Sequence, residues 1–352
     1  MKTGRSLHEL AGEVAARAEQ KRDYLINTNF LRFDTAEGRS QLLLPTQEPQ
    51  LIPVSELAHR QIAERLNIPQ KYYDRMREEE PRLLDANVNA WFLNKKEHRM
   101  LRTLNGQVRA FLSDKYRRID HEDLAEAVLP SLSSLPDAEV VSCEITETRM
   151  YIKVINHALQ SEVAPGDVIK AGIVITNSEV GLGSVKIEPL VYRLVCRNGL
   201  IVQDYAQRKY HVGRQVDVDS DFQVFSDETL QADDKAFFLK VRDTVRLIAD
   251  ETKFQLFTNR IKKAATETVE AEPDAAVELL SQRFQLNQNE KGSVLRHLIL
   301  GGDLSAWGYV NAITRTAEDV EAYDRATELE RMGGALLALP VNQWTKPVKK
   351  IA

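Results

Sequence analysis

Apolar positions along the chain follow two periods. From Ser6 to Lys21 they recur at helical spacing, with Leu7, Leu10, Val14 and Ala18 on one stripe, which predicts an amphipathic helix. Leu25 to Phe33 and Arg39 to Leu44 read as strands. The proline-punctuated stretch LLPTQEPQLIPVS then breaks to a fresh start at Ser55, a natural N-cap for the two helices of SELAHRQIAERLNIPQKYYDRMREE. In the middle of the chain period two takes over. Met100 to Leu104 and Gln107 to Leu112 flank Asn105-Gly106, the strongest short signal for a hairpin. His121 to Leu129 reads as a helix ended by Pro130. Ala138 to Glu147 and Arg149 to Asn156 form a second hairpin, with Ile145, Tyr151 and Val154 turning an apolar face inward. Ile173 to Thr176, Ser184 to Pro189 and Tyr192 to Cys196 continue the strands. Asn177-Ser178 and Gly181-Leu182-Gly183 connect the first two of these. Asn198-Gly199 is the expected turn into Leu200 to Val202, which sets Arg193 opposite Asp204 and Cys196 opposite Ile201.

Helical spacing returns with Phe237, Phe238, Val241, Val245 and Ile248, and continues through Phe254 to Ala265, Pro273 to Phe284, Lys291 to Leu300, Asp303 to Ile313 and Ala317 to Met332. The expected architecture is α+β: an antiparallel meander sheet with a crossing helix, followed by a C-terminal helical region. The sheet is built from hairpins and not from βαβ repeats. Three regions follow: 1–85, helices and strands with the helical hairpin; 86–216, the central antiparallel sheet; and 217–352, an acidic connector and helices. Trp307, Tyr309 and Asn311 read as packing anchors.

Composition narrows the classes. A net charge of −5 means the whole chain is no polycation, so any nucleic-acid contact must come from a local patch. Cys143 and Cys196 sit in apolar, strand-like contexts, as reduced core thiols do. No window reaches about 18 uninterrupted apolar residues, and the charged N-terminus has no secretory signature. A cytoplasmic protein is expected.

The sharpest local chemistry is basic. Lys95, Lys96, Arg99, Arg102, Arg109, Lys115, Arg117 and Arg118 stand against Glu97 and Asp114, a net +6 within an acidic protein. A two-residue turn places Arg102 opposite Arg109, an arrangement that is unfavourable unless an anion or acid lies over the pair. Trp91, Phe92, Phe111 and Tyr116 are interleaved, as stacking on unpaired bases requires. A charged outer sheet face over an inner face of Leu101 and Phe111 gives the same pattern. Arg193, Arg197, Arg208, Lys209 and Arg214, with Tyr205 and Tyr210, form a second basic cluster, and Lys346, Lys349 and Lys350 a short basic tail.

Other motifs fall short. The residues Ala63, Leu66, Asn67 and Ile68 are similar to a helix-turn-helix, but Asp74, Glu78, Glu79 and Glu80 would face phosphates badly. Leu57, Ile62, Leu66 and Met76 instead predict a helical hairpin that fills a core. Asp217, Asp219, Asp221 and Glu228 match positions 1, 3, 5 and 12 of a calcium loop, yet Phe222 stands where the loop needs Gly. Gly181-Leu182-Gly183 lies between strands, so no helix N-terminus receives a pyrophosphate. The histidines are scattered, and no nucleophile elbow, P-loop or zinc knuckle occurs. No catalytic residue, cofactor or metal ligand is singled out.

Three stretches carry a family resemblance: LNGQVRAFLSDKYRRIDHEDL (Leu104 to Leu124), TNSEVGLGSVKIEPLVYRLVCRNGLI, and WGYVNAITRTA (Trp307 to Ala317). Together they resemble the phage- and plasmid-borne family of domain of unknown function 932. The resemblance implies a mobile-element context in bacteria, and it carries over no catalytic residues because the family's activity is not established. The meander with its crossing helix and basic hairpin also looks like the core of phage-type single-strand annealing proteins, a likeness of fold only. The functional expectation is single-stranded DNA binding or annealing in recombination or replication, by a homo-oligomeric ring or filament. Arg102, Arg109, Lys115, Arg117 and Arg118 would hold phosphates, and Phe111 or Tyr116 would stack a base. A nuclease using Asp217, Asp219, Asp221 or Glu228 with a divalent ion is the enzymatic alternative. A protein-only factor directed at a host system is the third.

Overall fold

The computed structural model describes residues 1–36, 38–45, 49–116, 118–135, 137–183, 185–202, 227–246 and 251–345. Ser6 opens α1 (Leu7–Gln20) with a capping box: its side chain takes the Glu9 N–H, and the Glu9 carboxylate returns to the Ser6 N–H at 2.7 Å. β1 (Arg22–Asn27) and a single 3₁₀ turn (Thr28–Phe30) lead into β2 (Arg32–Ala36), β3 (Arg39–Leu44) and β4 (Gln50–Pro53), which form an antiparallel sheet in chain order. Ser55 caps α2 (Glu56–Arg65) as expected, and α3 (Gln70–Glu79) and α4 (Pro81–Asn94) follow. Ile62, Tyr73, Met76, Leu84, Val88 and Phe92 line the inner faces of these helices. They share one core with Leu42 and Leu44, so the helical pair is a packing unit.

β5 (His98–Leu104) and β6 (Gln107–Ser113) form the anticipated hairpin. Asn105 and Gly106 take φ of 52° and 71°, the left-handed pair that a tight hairpin turn requires. β1 adds to the β5 side. The register differs from expectation. Arg102 pairs with Ala110 and Thr103 with Val108, so Arg109 is the extra residue of a bulge and does not face Arg102. α5 (His121–Ser134) also runs past Pro130, because Ser131 and Leu132 are buried beyond it and anchor the last turn.

β7 (Ala138–Ile145), β8 (Met150–Glu162), β9 (Val168–Asn177), β10 (Lys186–Arg193) and β11 (Asn198–Ile201) form a five-stranded antiparallel meander in chain order. The C-terminal helices are α6 (Asp227–Arg246), α7 (Glu251–Thr266), α8 (Pro273–Phe284), α9 (Gln288–Gly301), α10 (Ala306–Thr316), α11 (Tyr323–Leu337) and α12 (Val341–Trp344). α10 therefore runs to Thr316, and α11 starts six residues later than the periodicity predicts. The α+β architecture with a helical C-terminal region is as read from the sequence.

The β10–β11 turn is a second correction. It lies at Leu194 to Arg197, with Arg197 at φ 50°, and Asn198 and Gly199 already pair with Arg193 and Tyr192. Asn198 is drawn into the strand because its Nδ2 donates to Asn311 (3.2 Å) and Thr314 (2.6 Å) on α10. Cys196 thus sits in a turn, while Cys143 is a core thiol whose pKa burial pushes up to about 12.

Both faces of the meander are covered. Ile152, Val154, Ile173 and Ile175 meet Leu10 and Val14 of α1, Leu124 and Val128 of α5, and Phe237 and Val241 of α6. On the opposite face α11 crosses so closely that a Cβ at Gly334 would overlap the Ile201 carbonyl oxygen. There Lys153, fully buried, reaches Glu330 at 2.6 Å and lies 4.8 Å from the centre of the Tyr323 ring. Desolvation lowers the Lys153 pKa against the pull of Glu330.

Candidate functional site

After β9 the chain runs back over the small sheet. Val180 and Leu182 pack on Leu57, Ala110 and Leu112, and Gly181 takes φ 80°, where a Cβ would stand 2.6 Å from a Leu112 methyl. Gln61 locks the loop by donating to the Val180 carbonyl and accepting the Phe111 N–H, both at 2.8 Å. This placement carries Glu179 into a buried junction between the β1–β5–β6 sheet and the meander.

Four cations meet three carboxylates there. Glu179 accepts from Arg109 at 2.5 Å and from the His121 backbone N–H at 2.7 Å. Arg102 is fully buried and makes three kinds of contact: two bonds to Asp23 (2.9 and 3.1 Å), one to Asp120 (2.6 Å), and one to the Glu179 carbonyl (2.9 Å). Arg118 adds to Asp23 at 3.0 Å and Lys21 to Asp120 at 2.6 Å. Burial opposes ionisation of Glu179. The His121 ring when charged, the Arg109 guanidinium and the His121 N–H outweigh it and hold the carboxyl at about 2. Asp23 is likewise lowered, against burial, by its bonds to Arg102. Burial lowers His121 to about 4; its Nδ1 accepts from Asn177 at 3.0 Å, as a neutral ring does.

The sequence-derived phosphate contacts therefore divide. Arg102 and Arg109 are the counter-ions of this junction, Arg118 shares in it from the surface, and the Tyr116 hydroxyl donates to the Ser178 carbonyl at 3.3 Å. Arg99 is buried 5.1 Å from the Phe111 ring centre, and Phe111 itself is buried against Phe92, rings 5.8 Å apart and 20° from parallel. Lys95, Lys96, Lys115 and Arg197 are exposed, while Arg193 is half-buried and paired with Asp167 at 2.5 Å. Arg117, Arg208, Lys209, Arg214, Tyr205, Tyr210, Asp217, Asp219, Asp221, Lys346, Lys349 and Lys350 lie outside the described residues, and Glu228 falls in the first turn of α6.

The sequence matches the family described as Domain of unknown function (DUF932) over residues 110–339. The chain belongs to the DUF932 family. No curated protein and no solved structure matches it. Within the junction, the DUF932 match contributes Arg118, Asp120, His121, Asn177 and Glu179, whereas Lys21, Asp23, Arg102 and Arg109 come from the chain before it. Asp120 and Glu179 of the matched segment are thus neutralised by Lys21, Arg102 and Arg109 from outside it.

One corner of this DUF932 protein combines exposed aromatic rings with cations that have no ion pair among the described residues. Thr28 ties the 3₁₀ turn to the end of α4, its hydroxyl donating to the Phe92 and Lys95 carbonyls (3.2 and 3.0 Å) and its N–H to Glu97 (2.9 Å). Phe30 is 64% exposed there and Trp91, one turn before Lys95, is 46% exposed. Arg32, two residues on from Phe30, and Lys95 and Lys96, just past the end of α4, are exposed, and the Glu97 that follows them is held by Arg65. Phe30 was hidden in the sequence because NFLRF reads as a strand; only the break at Thr28 turns the ring outward. Among the described residues no group of His, Cys, Asp and Glu could hold a metal, and no helix is long and apolar enough to cross a membrane.

Proposed function

We propose that this DUF932 protein binds single-stranded nucleic acid at the Phe30–Trp91–Lys95–Lys96 corner, as part of recombination or replication of a phage or plasmid. The observation that carries the reading is the exposure of two aromatic rings beside cations that are exposed and have no ion pair among the described residues. A protein with net charge −5 holds nucleic acid through such local patches. Rings stack on bases without regard to sequence, and the lysines release counter-ions from phosphates. Self-association into a ring or filament would align many corners into one track, so that weak single sites add up to tight binding. Leu93, exposed at the same end of α4, supplies apolar surface for such a neighbour.

The test is binding of a fluorescent single-stranded oligonucleotide across a salt series, wild type beside Lys95→Glu/Lys96→Glu and Trp91→Ala. Loss of two phosphate contacts should flatten the slope of log K against log salt by about 1.4. Loss of one stacked base should weaken binding by about 1–3 kcal/mol. Thermal stability should stay unchanged in the lysine variant, whose two side chains are exposed. Absence of binding at low salt, or undiminished binding in both variants, sinks the reading and directs attention to a protein partner.

A further inference from the structure

The β10–β11 turn, the end of α9 and one face of α10 line a partly open cavity of about 50 Å³. At roughly 10–15 Å³ of such space per water site it has room for about four oxygen atoms. Its wall lies wholly within the DUF932 match and holds nitrogen groups that the fold leaves uncommitted. Arg315 is half-buried, and its guanidinium makes no hydrogen bond or ion pair among the described residues. Arg193 gives Nε to Asp167 and one terminal nitrogen to Cys196 Sγ (3.3 Å), which leaves its other terminal nitrogen available.

His297 is the third. Its side chain is only 9% exposed, Nε2 is held by Asp319 at 2.6 Å, and Nδ1 is buried without a partner. Burial opposes ionisation of Asp319, but hydrogen bonds from Ser293 and His297 hold its carboxyl below the usual range. An ionised carboxylate only accepts, so Nε2 carries the proton. Nδ1 is then a lone pair when the ring is neutral and a donor when it is charged. Asn311 is already satisfied by Asn198 and the Trp307 carbonyl. The carboxylate in the wall, Asp303, accepts the Ser305 N–H at 2.9 Å.

We propose that this cavity is a phosphate site. Arg315 and the free edge of Arg193 donate to the oxygens, and His297 Nδ1 meets the remaining one, as acceptor from a protonated oxygen or donor to a bare one. Four oxygens fill the space, so anything attached to the phosphate lies outside it. The ligand is a phosphate group, either that of a free nucleotide or that at the end of a strand. The site does not depend on the Phe30–Trp91 corner.

Inorganic phosphate titrated into the full chain by calorimetry tests this, wild type beside Arg315→Gln. The wild type should show one saturable site, and Arg315→Gln, which removes no hydrogen bond or ion pair among the described residues, should bind about tenfold or more weakly with an unchanged melting temperature in the absence of phosphate. Should Arg315→Gln fail to fold, His297→Gln gives the same reading. Absence of saturable binding by the wild type, or equal affinity in a folded variant, overturns the site. Lys95→Glu/Lys96→Glu should leave phosphate binding intact. Preference for an oligonucleotide with a 5′-phosphate over the same strand with a 5′-hydroxyl assigns the site to strand ends. A nucleoside monophosphate that binds as tightly as the phosphorylated strand assigns it to free nucleotides.

Discussion

Replacing Arg102 by alanine should cost stability on a scale that no surface arginine reaches. The side chain is fully buried and bonds Asp23, Asp120 and the Glu179 carbonyl. Removal of one partner from a buried pair costs about 3–5 kcal/mol. Arg118 and Lys21 remain on the two carboxylates, at 3.0 and 2.6 Å, so neither charge is abandoned and the lower end applies. The orphaned carbonyl adds about 1 kcal/mol, for a total near 4 kcal/mol. Against typical stabilities of about 5–15 kcal/mol this is a large fraction. Urea unfolding should show a midpoint lower by more than about 1 M, with the slope unchanged. Arg102→Lys, which keeps the charge but not the fork, should fall between. A variant that unfolds at the wild-type midpoint yet loses oligonucleotide binding would refute the structural role and return Arg102 to the phosphates.

Two buried histidines predict acid sensitivity. Burial lowers His59 and His121 from 6.5 to about 4, so between pH 6.5 and 4 the unfolded chain binds more protons and stability falls as pH drops through that window. Each contributes at most about 3 kcal/mol. Urea midpoints measured from pH 7.5 to 4 should decline, less steeply in His59→Gln, and a flat profile contradicts the assignment. Below pH 4.5 the Glu179 contribution, present above its unfolded value, is lost in turn as its carboxyl titrates at about 2. Two glycine substitutions should have opposite signs. Gly334→Ala drives a methyl into the Ile201 carbonyl and should lower stability by about 1–3 kcal/mol, whereas Gly12→Ala on the open face of α1 should raise it by up to about 1 kcal/mol. Melting temperatures decide both.

Local chemistry made most elements legible. Ser55 announced its helix, and Asn105-Gly106 its hairpin, because caps and left-handed turns are decided by neighbours a few residues away. Long-range partners decided what was misread. Asn198-Gly199 has the same turn chemistry, but Asn198 is claimed by Thr314, 116 residues on, and the turn moves to Arg197. The bulge at Arg109 follows from Glu179, which draws its guanidinium from 70 residues away. The basic run from Lys95 to Arg118 looked like one surface, yet Asp23 and Asp120 neutralise its centre and leave only its ends in water. Charge count along a chain cannot tell a patch from the inside of an ion network.

The Lys153–Glu330 pair has a consequence in time. Its members are 177 residues apart, so at about 5–20 residues per second a ribosome delivers the carboxylate roughly 9–35 seconds after the lysine. Through that interval the nascent meander has an uncovered face bearing Tyr151, Ile155, Val174 and Leu190. An ammonium set among them keeps water on that face and discourages the growing sheet from adhering to a neighbouring nascent chain. Once α11 arrives, the same charge becomes the anchor over which it closes. The lysine that weakens the half-made sheet as a sticking surface makes its completion conditional on the last long helix.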